Sequence, residues 1–239
     1  MYSLIRSFYL WLLILHLLQS KEYRHFLIAT AFSIVLAMLL GAFSVIYGKQ
    51  QSFLIINNTN HPAFDYFFKY WTYFGDGIIW IPLFVYSILF KREFFIAILA
   101  SLIICTVLTH FLKRVIFPDD LRPIGVFADK IRTINGVTVH RAHSFPSGHT
   151  STAFTLALLL AFRLGNILWA FFFPLIAFFV GYSRVYLAQH FVTDVFAGML
   201  VGIVSAFLSL LTYKAFRDKQ LRKKPPELEI EDVMFHRSE

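Results

Sequence analysis

Residues 183–213 read SRVYLAQHFVTDVFAGMLVGIVSAFLSLLTY, a short polar segment followed by a long apolar one. The apolar run 195–213 carries no charge and has close to the ~20 residues that a helix needs to cross the hydrocarbon core of a bilayer. The polar segment contains Arg184, His190 and Asp194. Ionisable side chains at the edge of a lipid-embedded bundle cost up to ~3 kcal/mol each, so their clustering indicates a functional site.

The composition of the whole chain is that of an integral membrane protein. Of 239 residues, 58% are hydrophobic and only 15% are charged, which is more apolar surface than a soluble domain of this size can bury. Besides 195–213, the apolar segments that we predict to cross the membrane are 25–48, 77–90, 94–112, 150–162 and 164–183. We therefore expect one all-α domain, residues 1–224, built as a bundle of six transmembrane helices with its core at about 25–213.

The two ends of the chain are expected to lie outside this core. The apolar stretch 7–20 after Arg6 resembles a signal peptide, but it lacks a small-residue cleavage site and contains bulky aromatic side chains. We predict that residues 1–24 form an uncleaved interfacial helix, and a seventh crossing remains an alternative. Residues 225–239 are predicted to be a polar cytoplasmic tail.

The net charge of +8 does not indicate nucleic-acid binding, because the aromatic residues lie inside apolar runs and are not interleaved with a basic face. The basic residues that follow the last apolar run indicate contact with anionic lipids; they are Lys214, Arg217, Lys219, Arg222, Lys223 and Lys224. Cys105 is the single cysteine, which excludes an intramolecular disulfide. No obligate protein partner is indicated.

Counting crossings predicts which segments meet. The helix after His149 crosses once and the next helix returns, so the segments 113–143, 144–149 and 183–190 emerge on one face. The opposite face carries Lys91, Arg92, Arg163 and the basic tail. By the positive-inside rule we predict a multi-pass protein of the cell inner membrane, with the polar cluster on the extracytoplasmic (periplasmic) face.

The sequence Pro146-Ser147-Gly148-His149 is typical of a helix start that binds an anion. Proline suits the first helical position, where its missing N–H costs nothing. The N–H groups of Ser147, Gly148 and His149 are then expected to lack intrahelical partners and to face outward with the positive end of the helix dipole. This arrangement favours a phosphate group.

The second polar segment predicts a nucleophile. His190 and Asp194 are four residues apart and hence on one helix face, so the carboxylate can hold one ring nitrogen and leave the other to attack phosphorus. Arg184 supplies a forked cation that matches phosphate geometry, and Lys113 and Arg122 add fixed positive charge for the transition state. His149 is then placed as the general acid that protonates the leaving oxygen.

Taken together, these residues resemble the three-part signature of the type-2 phosphatidic acid phosphatase superfamily, which includes bacterial lipid phosphatases. The three parts are Lys113 with Arg122-Pro123, Pro146-Ser147-Gly148-His149, and Ser183-Arg184 with His190 and Asp194. The resemblance implies that His190 is the nucleophile, Asp194 its orienting partner and His149 the acid. The phosphate pocket it implies consists of Lys113, Arg122, Ser147, Gly148 and Arg184. The spacing from Lys113 to Arg122 is longer than the family's usual one, so Arg114 is an alternative to Lys113.

The resemblance implies a phosphatase that needs no metal or other cofactor. A zinc site at His140, His143 and His149 is the alternative, and the lack of an accompanying cysteine or acidic ligand disfavours it. The expected reaction is hydrolysis of a phosphate monoester or pyrophosphate on a membrane lipid through a phosphohistidine. Undecaprenyl pyrophosphate, lipid A, phosphatidylglycerol phosphate and phosphatidic acid all fit this description. A lipid phosphotransferase of the same fold and a non-catalytic phospholipid carrier remain alternatives.

Overall fold

The computed structural model describes residues 21–59 and 61–223, and the regular secondary structure of these residues is helical throughout. The helices are α1 (Lys21–Asn57), α2 (Pro62–Trp71), α3 (Trp80–Phe90), α4 (Arg92–Phe111), α5 (Pro123–Phe127), α6 (Gly148–Leu164), α7 (Ile167–Tyr186) and α8 (Val192–Lys223). Two 3-10 turns, Thr72–Gly75 and Gly77–Ile79, join α2 to α3, and a π-helical turn, Leu112–Ile116, extends α4. Residues 1–20 of the predicted interfacial segment 1–24 and the tail 225–239 lie outside the described residues, whereas residues 21–24 form the first turn of α1.

Four helical segments are long and apolar enough to cross a membrane, namely Tyr23–Asn57, Arg92–Ile116, Ile167–Tyr186 and Val192–Gln220. A fifth candidate is the pair Pro62–Gly75 and Gly77–Phe90, which is bent by 56°. Helix α6 has 17 residues and is therefore about 25 Å long. The all-α membrane bundle is confirmed, whereas the count of six crossings stays a prediction.

Helix α6 lies at the centre of the bundle, where it packs against α1, α4, α7 and α8. Two glycines of α8 allow this helix to approach α6 closely. A Cβ atom built at Gly198 would lie 2.7 Å from the carbonyl oxygen of Ser147, and one at Gly202 would lie 2.7 Å from that of Ser151. Because small residues let membrane helices pack backbone against backbone, these positions hold the start of α6 against the start of α8.

The connection between α6 and α7 is a short turn that reverses the chain. Gly165 ends α6 in the left-handed conformation (φ 54°, ψ 38°), which glycine adopts without steric cost. The side-chain oxygen of Asn166 accepts a hydrogen bond from the N–H of Leu168 at 2.9 Å and so caps α7. This reversal brings the end of α7 to the face where α6 begins.

Two helices extend further than the sequence predicts. Helix α1 bends at Gly48 (φ 78°, ψ 163°) but continues to Asn57, beyond the predicted apolar segment 25–48. Helix α8 continues past residue 213 to Lys223, because lysine and arginine are good helix formers and keep the polar end of the helix intact. The membrane-proximal segments are thus more ordered than their composition indicates.

Candidate active site

A cavity of about 440 Å³ opens where α6 begins and α7 ends. Six of the residues that the sequence singled out line it: Lys113, Arg122, Gly148, His149, Arg184 and His190. The other two, Ser147 and Asp194, are fully buried and lie behind its wall. Three separate segments of the chain therefore meet at one cavity.

His190 and Asp194 form a buried pair at the junction of α7 and α8. Nδ1 of His190 lies 3.3 Å from Oδ2 of Asp194, and the two side chains are 2% and 0% exposed. The same carboxylate oxygen accepts hydrogen bonds from the hydroxyl of Ser144 at 2.5 Å and from the N–H of Phe191 at 2.9 Å. Asp194 is thus held in place, and Nε2 of His190 is the ring nitrogen left for chemistry.

The surroundings of His190 keep its imidazole neutral. Burial is the largest cause that lowers the pKa of His190 well below its ordinary value, and the charges of Arg122, Arg184 and Lys113 lower it further. A neutral ring has a free lone pair at neutral pH. This is the state that a nucleophilic histidine needs.

The start of α6 differs in one respect from the expected anion site. The N–H of Ser147 donates to the carbonyl oxygen of Asp194 at 3.0 Å, so it does not face the cavity. The hydroxyl of Ser147 accepts from Thr150 at 2.9 Å. The expectation of a free N–H at Ser147 was therefore wrong, because the tight contact between α6 and α8 satisfies it. Gly148 and His149 keep the first-turn positions, whose N–H groups have no intrahelical acceptor.

Arg184 is the most buried cation of the cavity. One of its terminal nitrogens, Nη1, donates to the hydroxyl of Thr72 at 2.8 Å. Its Nε is buried and has no hydrogen-bond partner among the described residues. A buried guanidinium donor without an acceptor costs free energy unless a ligand completes it, and a phosphate oxygen is a suitable acceptor.

Arg122 is anchored by backbone and side-chain acceptors on two segments. Its Nε donates to the carbonyl oxygen of Ala142 at 3.1 Å, and its Nη1 donates to the side chain of Gln189 at 3.2 Å. Burial lowers the pKa of Arg122, while the charge of Asp194 acts in the opposite direction. Lys113 lies in the π-helical turn after α4 and lines the cavity, whereas its alternative Arg114 is exposed and does not.

The loop 131–140 forms the outer wall of the cavity. Gln189 donates from Nε2 to the carbonyl oxygen of Thr138 at 2.9 Å, and Lys69 donates to that of Asn135 at 2.9 Å. At the base of this loop, the side-chain amide of Asn57 exchanges two hydrogen bonds with the backbone of Arg132, at 3.0 and 3.1 Å. The wall is therefore tied to α1, α2 and the turn before α8.

Four polar side chains at this site were missed by sequence reasoning: Thr72, Asp76, Ser144 and Gln189. Asp76 lies between the two 3-10 turns, and its Oδ2 is 3.5 Å from Nε2 of His149. A carboxylate inside an aromatic, membrane-proximal segment was a usable signal, since such residues are costly there. The other three have common surface residue types, and only the folded chain shows their partners.

The alternative of a zinc site concerns the same cavity. His140 lines it, but no group of three or more His, Cys, Asp and Glu side chains able to hold a metal ion occurs in the parts of the chain that the structure describes.

Known proteins with similar sequences are membrane phosphatases. The chain is 29% identical over 186 residues to the lipid A 4'-phosphatase of Porphyromonas gingivalis, covering 74% of this chain and 78% of the relative. It is 29% identical over 209 residues to the undecaprenyl-diphosphatase of Sulfolobus acidocaldarius, covering 86% and 92%.

A solved structure gives the same result. The crystal structure of Aquifex aeolicus LpxE superposes with a TM-score of 0.61 at 32% identity, covering 68% of this chain and 94% of that one. The model of the PAP2 superfamily, the type-2 phosphatidic acid phosphatases, matches residues 93–218, which is more than half of the chain and includes all three predicted motif parts. The chain therefore belongs to the PAP2 superfamily.

Proposed function

We propose that this protein is a lipid phosphatase that hydrolyses a phosphate monoester or diphosphate of a membrane lipid through a phosphohistidine. One observation carries the proposal: His190, His149 and the cations Lys113, Arg122 and Arg184 line a single cavity of about 440 Å³. These groups are the nucleophile, the acid and the charge that phosphoryl transfer requires.

In the first step, Nε2 of His190 attacks phosphorus, and the bond between phosphorus and the lipid oxygen breaks. The leaving oxygen takes a proton from His149, which becomes neutral. Asp194 accepts the hydrogen bond from Nδ1 of His190 and stabilises the charge that the ring gains. The cations bind the three remaining phosphate oxygens.

In the second step, water replaces the lipid alcohol. The oxygen of water attacks phosphorus while neutral His149 takes a proton from the same water molecule. The nitrogen–phosphorus bond breaks, and inorganic phosphate is released. His149 is then protonated again for the next cycle. The role that we assign to Ser147 is structural support of this wall, since its N–H and hydroxyl are engaged within the protein.

The membrane position that we propose for the site favours a lipid phosphate as the substrate, and the names of two relatives support this class. One relative acts on lipid A and another on undecaprenyl diphosphate, and we carry both to this chain as candidates beside phosphatidylglycerol phosphate and phosphatidic acid. We place the site on the extracytoplasmic face of the inner membrane, because Lys91, Arg92, Arg163 and the basic end of α8 lie at the opposite end of the bundle. That basic end is suited to anionic lipids.

The test uses the purified protein in detergent with a chelator, and it scores phosphate released from each of the four lipids. The His190→Ala variant is expected to lose at least about 1,000-fold in rate, because it removes the nucleophile. His110→Ala, an exposed histidine on α4, is the matched control and is expected to retain its rate. Full activity in His190→Ala would overturn the proposal.

Two alternative activities have distinct outcomes in the same assay. Labelled phosphate that appears on a second lipid instead of in water would identify a phosphotransferase. Lipid movement across vesicles without phosphate release would identify a carrier. For the phosphatase, His149→Ala given labelled p-nitrophenyl phosphate, whose leaving group needs no proton, is expected to accumulate acid-labile label on the protein, since the second step lacks its base.

A further inference from the structure

A second cavity lies at the other end of α6 and belongs to no site described so far. It has a volume of about 500 Å³ and lies where α3 meets α4, beside the ends of α6 and α8. Four cations line it, namely Lys91, Arg92, Arg163 and Arg217, together with one carboxylate, Glu93. We call it the cationic pocket.

The cations of this pocket are not neutralised by described side chains. None of the four forms an ion pair with a carboxylate in the described part of the chain. The Nε atom of Arg217 is buried and has no hydrogen-bond partner among the described residues. A buried guanidinium donor and three neighbouring cations favour an anion with several acceptor oxygens.

Aromatic side chains form the rest of the pocket lining. Phe94, Phe162 and Tyr213 form a cluster of three rings whose centroids are 6.1 to 6.5 Å apart. Phe90, which also lines the pocket, is 68% exposed. A soluble anion has no use for an aromatic lining, whereas a lipid places its headgroup in the pocket and its chains against these side chains.

We propose that the cationic pocket binds the phosphate headgroup of an anionic membrane lipid, independently of the candidate active site. Basic pockets between transmembrane helices at the cytoplasmic side are suited to such headgroups. By binding one phosphate, the cations would hold the adjoining ends of α4, α6 and α8 together. Of the basic residues that the sequence assigned to lipid contact, three have described side chains, Lys214, Arg217 and Lys219, and Arg217 is the one of these three that lines the pocket.

The test compares lipid retention by the full chain and two double variants of equal charge. Phosphatidylglycerol is the anionic probe and phosphatidylcholine the zwitterionic one, and retention is measured by native mass spectrometry after release from mixed micelles. Arg92→Gln with Arg217→Gln changes the pocket. Arg24→Gln with Lys219→Gln is the control, since both side chains are exposed and lie outside the pocket.

We expect the pocket variant to retain phosphatidylglycerol at least about 10-fold more weakly than the control variant, which matches the wild type. Equal loss in both variants would mean diffuse surface charge and would overturn the proposal. A rise in the apparent Tm of the wild type with inorganic phosphate alone, absent in the pocket variant, would also overturn it, because the pocket would then take a free anion. The apparent Tm of the pocket variant is also compared with that of a chain without the acidic residues 225–239. If both changes lower the apparent Tm by the same amount, the occupant is that segment and not a lipid.

A second inference rests on Asp76 at the candidate active site. Its Oδ1 accepts a hydrogen bond from the N–H of Ile78 at 3.1 Å, which leaves Oδ2 directed to Nε2 of His149 at 3.5 Å. The preceding residue is Gly75, where a Cβ atom would lie 2.5 Å from the carbonyl oxygen of His149. The absence of a side chain at Gly75 lets this turn pack against the start of α6.

Asp76 is the one carboxylate among the described residues that line this cavity. The other ionisable groups on its wall are cations, imidazoles and a phenol: Lys69, Lys113, Arg122, Arg184, Tyr73, His140 and His190. Cations disfavour a protonated imidazole, but a general acid must carry its proton before the leaving oxygen departs. Burial and the charges of Arg184, Arg122 and Lys113 lower the pKa of His149 to about 2, and the carboxylate beside Nε2 opposes this shift.

Building on the proposed function, we infer that Asp76 is a positioning residue that stabilises the protonated imidazole of His149 through its contact with Nε2. Its contribution is greatest when the leaving group needs a proton. An alkoxide leaves only with one, whereas a p-nitrophenolate leaves without it. Asp76 therefore acts on the first step through His149 and does not touch phosphorus.

The test measures the first turnover of Asp76→Asn with two substrates. With phosphatidic acid we expect a loss of about 100-fold, the usual size of a general-acid contribution. With p-nitrophenyl phosphate we expect the burst of p-nitrophenolate to change less than about 5-fold, because this leaving group needs no proton. Asp218→Asn, an exposed acid on α8, is the control and is expected to match the wild type with both substrates.

The His149→Ala variant separates the two ideas. If it shows the same dependence on the leaving group while Asp76→Asn slows both substrates equally or neither, the inference about Asp76 fails and the proposed acid stands. If His149→Ala shows no such dependence, the acid assignment in the proposed function fails, and the inference about Asp76 fails with it.

Discussion

The two ends of α6 both collect cations, but they hold them differently. At the candidate active site, Arg184 and Arg122 are fixed by hydrogen bonds to Thr72, Ala142 and Gln189. At the cationic pocket, the side chains of Lys91, Arg92, Arg163 and Arg217 form neither a hydrogen bond nor an ion pair with another described residue. A transition state needs charge at fixed positions, whereas the headgroup of a fluid lipid needs only charge within reach. Preorganisation, and not charge alone, separates a catalytic site from a binding surface.

The largest expected effect comes from replacing an arginine by lysine at each end. Arg184→Lys should lower kcat/KM for phosphate release by about 10- to 100-fold, because lysine cannot keep the bond to Thr72 and also bind phosphate with a fork. Arg163→Lys should change phosphatidylglycerol retention by less than about 2-fold, since a point charge suffices there. Equal effects on the two readouts would remove the distinction.

A smaller effect is expected from separating α6 and α8. Gly198→Ala places a Cβ atom against the carbonyl oxygen of Ser147 and should destabilise the protein by about 1–3 kcal/mol, seen as a lower apparent Tm in detergent. It should also lower kcat, because it disturbs the bond between Ser147 and Asp194. Gly77→Ala is the control, since nothing lies within 4 Å of its Cβ position. An unchanged Tm in Gly198→Ala would contradict this packing.

The smallest effect is a shift in pH dependence. Burial and three cations lower the pKa of His190, so the nucleophile stays neutral below pH values at which an ordinary histidine, with a pKa of about 6.5, is half protonated. Arg122→Gln removes one of these charges, and the acid limb of kcat/KM should move to higher pH. Arg141→Gln, an exposed arginine, should leave the limb in place. A limb that moves downward in Arg122→Gln would contradict the charge argument.

The sequence predicts this site as far as its signals are local. The spacing of His190 and Asp194 predicts their pairing, and counting helices predicts that their segment meets His149. The all-helical membrane fold and the family are confirmed. The roles of the individual side chains stay predictions, since only function can test them.

What the sequence does not predict are partners from distant segments. Thr72 is 112 positions away from Arg184, and Asp76 reaches His149 from a turn that lies outside the three predicted motif parts. The N–H of Ser147 was expected to be free because helix starts leave it so, but close packing of α8 supplies an acceptor. Such contacts depend on how helices pack, and no local pattern encodes them.

The shortness of α6 has a consequence for how a lipid reaches the protein. At about 25 Å the helix is some 5 Å shorter than a typical hydrocarbon core, so the predicted crossing by α6 would place a phosphate at its N-terminal end near the level of the first chain methylenes. Each methylene drawn from hydrocarbon into water costs about 0.8 kcal/mol. A headgroup that slides sideways into the cavity avoids this extraction, and the length of the tail then has little influence on the rate of turnover.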